Sequence, residues 1–213
     1  MRCHILYKNS SAAFTLIELL TVVGILLIIS AIGAGSYQGA LNRARTARVA
    51  AEFRTYAAAI ETYHVDNNAW PRMSHATFYG DPDFDALDGF AVNGVLSRSV
   101  TTPVAYLTTV NRIDPFMVGN TSAPPDEQAY TFQVPGEYSR KLPGSVFWPA
   151  AEKYYGGWRL VSVGPDRYFD HGFANSAQLI YDPTNGAVSL GNIFRSQAQA
   201  TSPPPIPGLL GAH

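Results

Sequence analysis

The order of patterns along the chain predicts an α+β fold in which one long N-terminal helix packs on a small antiparallel β-sheet. Three observations carry that expectation. An apolar run from Phe14 to Gly35 passes into an amphipathic stretch that reaches Tyr63. Beyond residue 128, several short segments alternate apolar and polar residues with period two. Finally, 12 Tyr and 11 Phe accompany 18 Gly and 15 Pro, which suits a β-rich body with many turns. At 213 residues there is room for one domain plus an appendage.

The helix is expected over 14–65. Its apolar half, 14–35, holds 22 residues, roughly 33 Å at 1.5 Å per residue, enough to cross a bilayer core. Arg2 and Lys8 precede it, which keeps the N-terminus cytoplasmic and sends the body outward. Gly33, Gly35 and Gly39 loosen the rod. In the second half, Val49, Phe53, Tyr56, Ile60 and Tyr63 recur at steps of four, three, four and three, forming one stripe to pack on the sheet. Arg43, Arg45 and Arg48 read as a solvated face, and Glu52, Arg54 and Glu61 also fall mostly off the stripe. Asp66, Asn67 and Asn68 favour a turn, and Pro71 cannot continue a helix.

The head is expected over 66–195. Thr102 as N-cap and Pro103 in the first turn predict a short helix, and Asp114–Pro115 a turn. The segments "AYTFQV", "GWRLVSV", "AQLIY" and "AVSLG" predict strands, the last two joined by a hairpin at Asn185–Gly186. Asp81, Asp83, Asp85 and Asp88 begin like an EF-hand loop, but Ala86 and Val92 occupy its glycine and final acidic positions, so an exposed acidic turn is expected there, with a looser calcium loop as the alternative. The tail, 196–213, is Pro-rich without periodicity and reads as extended or disordered.

Function classes narrow quickly. Charged residues are 15% of the chain and the net charge is −1, with no basic block for nucleic acid. His4, His64, His75, His171 and His213 form no metal-ligand spacing, and no nucleophile elbow, phosphate loop or dinucleotide fingerprint occurs, so no enzyme is expected. The single cysteine, Cys3, precedes the apolar run.

One residue remains unexplained by these patterns. Glu18 is the only charged side chain between Phe14 and Asn42, and a carboxylate in a lipid-facing helix costs about 2.5–3.5 kcal/mol on insertion scales. The stretch "AFTLIELL" around it resembles the prepilin motif of type IV pilins and type II secretion pseudopilins. That resemblance implies a leader over 1–13, cleavage between Ala13 and Phe14 by a prepilin peptidase, N-methylation of Phe14, and Glu18 as the assembly residue. Ala13 stands where the family usually has Gly. Cutting before Phe14 makes an ammonium group four residues from Glu18, and pairing the two charges offsets much of the cost of burying either.

The succession "DPF", "WRLVSVGPD" and "YDPTNGAVSLGNIFR" is similar to the C-terminal sheet of the major pseudopilins. Members of that group hold a C-terminal loop with calcium. The resemblance therefore offers Asp166 and Asp170, with Asn175 and nearby carbonyls, as oxygen ligands to Ca²⁺, although their spacing departs from the group's pattern; ordinary turn acids are the other reading. No further cofactor is expected.

The resemblance covers 10–70 and 95–195. It implies a subunit of a pseudopilus or related pilus-like filament, seated in the bacterial inner membrane by a single pass. Its body would lie in the periplasm or an extracellular filament. Its partners would be other copies, other pseudopilins, the inner-membrane assembly platform, membrane lipid and the peptidase, with no nucleic acid. The alternative is a membrane-anchored or Sec-secreted binding module that never polymerises.

Overall fold

The computed structural model describes residues 14–75, 94–110, 113–120, 128–141, 143–167, 180–182 and 189–199. It is an α+β chain of two units, one up to Ala40 and one from Leu41 onward. Helix α1, Leu16–Asn67, contributes to both.

In the first unit the side chains from Leu16 to Ile29 are largely exposed and meet no core. Among the described residues no helix is long and apolar enough to cross a membrane. The span expected over 14–35 is therefore not supported, and the side chains at 32 and 34–36 lie outside the described ones.

In the second unit α1 supplies the expected stripe. Val49, Phe53, Tyr56 and Ile60 are buried, and Tyr63 packs at their edge. Burying each such side chain is worth about 1.5–3 kcal/mol, which holds this part of the helix to the body. The helix ends as its turn residues demand. Asn68 takes a left-handed φ of 50°, its N–H returns to the His64 carbonyl at 2.8 Å, and Asn67 Nδ2 donates to the Tyr63 carbonyl at 2.9 Å.

Acids beside the stripe also fasten the helix, so they are not simply solvated. Glu52 accepts from the Tyr130 hydroxyl at 2.7 Å and pairs with Arg48 at 3.0 Å. Glu61 accepts from Trp158 Nε1 at 2.8 Å, and Asp66 from the Tyr106 hydroxyl at 2.9 Å.

Two antiparallel sheets follow. β1 (Met73–His75) pairs with β2 (Gly94–Leu96). β4 (Arg159–Ser162) lies between β3 (Thr131–Gln133) and β5 (Ile193–Ser196). Gly94 lets the first sheet sit on the second: a Cβ there would lie 2.7 Å from the Phe132 carbonyl oxygen. Met73 Sδ accepts the Val134 N–H at 3.3 Å across the same junction.

The helices α2 (Pro135–Lys141) and α3 (Phe147–Tyr155) form a pair after β3. Pro135 occupies the first helical position of α2, where its missing N–H is harmless. Gly156, at φ 84°, ends α3 and returns its N–H to the Glu152 carbonyl at 3.0 Å.

Two expectations are corrected. The helix opened by Thr102 does not form. Instead Ser97 caps a 3₁₀ turn at Arg98–Val100, and the N–H groups of Tyr106 and Leu107 both go to the Val100 carbonyl. Of the strand expected at 187–191, the described residues 189–191 are not in a strand, and the pairing segment is β5 instead. Most of the predicted hairpin lies outside the described residues; of its described part, Ile180 forms a parallel bridge with Asn192, one residue beyond the second predicted strand. The Gly191 N–H is taken by Asp166 Oδ2 at 2.7 Å, which removes it from a ladder.

The Asp114–Pro115 turn does form, around a buried carboxylate. Asp114 Oδ1 accepts the Phe116 N–H at 2.9 Å and Oδ2 accepts the Val163 N–H at 3.0 Å. Burial pushes the carboxyl up to about 6, against the opposing pull of hydrogen bonds from Ser162, Phe116 and Val163.

Candidate assembly site at the head of the helix

Phe14 and Thr15 precede α1 and lie outside its helical turn. The sequence Thr15-Leu16-Ile17-Glu18 forms a reciprocal cap there. The Thr15 N–H and hydroxyl both donate to Glu18 Oε2, at 2.9 and 2.7 Å, and the Glu18 N–H donates to Thr15 Oγ1 at 3.3 Å. The Leu19 N–H closes the first turn on the Thr15 carbonyl at 3.3 Å. A carboxylate at this end also faces the positive pole of the helix dipole.

Glu18 thus has a local structural role that composition alone did not suggest, and Thr15 is a site residue that the sequence reading missed. The T-x-x-E spacing was its visible signal. Both Thr15 bonds fall on Oε2, so among the described residues Glu18 Oε1 is left to accept an incoming donor.

The surroundings give that carboxylate its chemistry. Phe14 is 84% exposed, and Leu16, Ile17, Leu19 and Leu20 are also exposed. Anything that covers this apolar surface also strips water from Glu18. Such a cover is favourable only if it brings a positive charge or a donor to the carboxylate. Ala13, the other half of the predicted cleavage point, lies outside the described residues.

The predicted calcium ligands are not brought together within the described residues. Asp166 lies in a turn, 164–167, and ties it to the start of β5 through the Gly191 N–H. Asp170 and Asn175 lie outside the described residues, as do Asp81, Asp83, Asp85 and Asp88. Among the described residues no group of three or more His, Cys, Asp or Glu is placed to hold a metal.

Comparison with known proteins gives one relevant similarity. The chain is 34% identical over 101 residues to the type IV major fimbrial protein FimA of Dichelobacter nodosus, a match covering 47% of this chain and 62% of that protein. The chain therefore spans less than two thirds of the length of the relative it matches. No family model matches the chain, and no solved structure matches it. The match supports a type IV pilin-like relationship over about half of the chain, and the long helix with a small antiparallel sheet is consistent with a pilin-like fold.

Proposed function

We propose that the chain is a structural subunit of a type IV pilus-like filament or type II secretion pseudopilus, matured by a prepilin peptidase that cuts between Ala13 and Phe14 and methylates the new amine. The observation that carries this reading is the exposed apolar head of α1 with one carboxylate at its tip, in a chain similar to a fimbrial protein. A bilayer covers the side chains from Leu16 to Ile29 before assembly, and neighbouring helices cover them afterwards. The ammonium on Phe14 of one copy meets Glu18 of the next, neutralising a charge that burial would otherwise penalise and fixing the axial stagger of the helices.

Mass spectrometry of the mature N-terminus tests the maturation step. The expected species begins at methyl-Phe14. An intact Met1, or a start near Ala34, would instead identify an anchored or secreted module that does not polymerise. Glu18→Ala tests assembly separately. The variant is expected to be cleaved normally but to be absent from sheared filaments, and wild-type filament yield would refute the docking role.

A further inference from the structure

The register of the second sheet sets Gln133, Arg159 and Ser196 side by side across β3, β4 and β5. All three are buried, Arg159 to 5% exposure. Aromatic rings from α3 and β5 surround the guanidinium. Arg159 Cζ lies 5.5 Å from the ring centres of Phe147 and Trp148, 5.2 Å from that of Tyr155 and 6.0 Å from that of Phe194. From α2, Tyr138 stacks on Trp148 with ring centres 4.0 Å apart.

The polar partners within this cluster are neutral. Arg159 Nε donates to Gln133 Oε1, and the Tyr155 hydroxyl bonds the guanidinium. Among the described residues no carboxylate pairs with Arg159. Among the described residues two donors of the cluster lack a partner: Arg159 Nη1 and the hydroxyl of Tyr138, a residue 1% exposed. Burial pushes the Tyr138 hydroxyl up from its usual range, so it stays a donor.

A guanidinium keeps its charge at any pH a protein meets. Four aromatic faces offset part of its lost hydration, but they bring no counter-charge. A water molecule would satisfy the two donors and leave the charge uncompensated, whereas a small monovalent anion would do both. We propose that Arg159 Nη1 and the Tyr138 hydroxyl together bind a chloride-sized anion, which locks α2 and α3 onto the sheet.

The test is thermal unfolding of the full chain in zwitterionic detergent, with chloride raised from 1 to 100 mM and ionic strength held constant with gluconate. A millimolar site predicts a rise in melting temperature of about 5 °C. Crystals grown in bromide should show an anomalous peak between Arg159 and Tyr138. Tyr138→Phe keeps the ring, removes one donor and should weaken the chloride response about tenfold. Arg159→Met, an apolar replacement of the kind buried charges tolerate, should abolish it. Identical wild-type melting in chloride and gluconate overturns the proposal, as does a full chloride response in Tyr138→Phe; the wild-type measurement decides even if Arg159→Met fails to fold.

Discussion

Asp114 has its charge set by two opposed influences, and their balance is measurable. Three hydrogen bonds favour the carboxylate, but burial outweighs them and the folded carboxyl rises to about 6 from 3.8. The folded chain therefore holds this proton more tightly than the unfolded chain. The resulting stability is fully present below pH 3.8 and is lost as pH rises through about 6, by up to about 3 kcal/mol. Urea unfolding between pH 4 and pH 7 should show that loss, and Asp114→Asn should flatten it. The same substitution should lower stability by about 1–3 kcal/mol near neutral pH, because an amide cannot accept from both Phe116 and Val163. At the helix head, Thr15 and Glu18 make the same point about charge: a residue that looked anomalous in an apolar run caps its own helix.

Among the elements, α1 was the most legible. Its stripe needs only a 3.6-residue period, and its stop needs only Asn67, Asn68 and the chain beyond. Phe53→Ala should cost about 3–5 kcal/mol in chemical denaturation, since Phe53 is 2% exposed and packs edge-on to Tyr130 with ring centres 5.0 Å apart. The helices α2 and α3 went unpredicted although Pro135 and Gly156 mark a start and a stop. Each is short, seven and nine residues, so its apolar period barely repeats and aromatic burial decides it. The displaced strand has a similar cause. The turn at Gly164–Arg167 presses against Gly191, where a Cβ on Gly164 would fall 2.2 Å from the Gly191 carbonyl oxygen. Gly164 also has φ 73°, so Gly164→Ala should lower stability by about 2 kcal/mol or more in thermal unfolding.

For the molecule as a whole, every residue of the main core cluster lies from Val49 onward. A fragment of residues 41–213 is therefore expected to unfold in one cooperative transition; a broad, non-cooperative melt would show that the core needs the preceding segment. The sequence by itself determined the long helix, its buried stripe, the lone acid at its head and the strands at 131–133 and 159–162. Each of these depends on neighbours within a few positions or on a strict alternation. Only the tertiary structure decided that Glu52 and Glu61 hold the helix to Tyr130 and Trp158, that Asp114 joins a turn to β4, and that Arg159 lies under aromatic rings. Glu52, Glu61 and Asp114 reach these partners tens of residues away, and no local pattern encodes which buried polar group will face which donor. Their positions follow from strand register and helix packing, which the whole chain must settle at once.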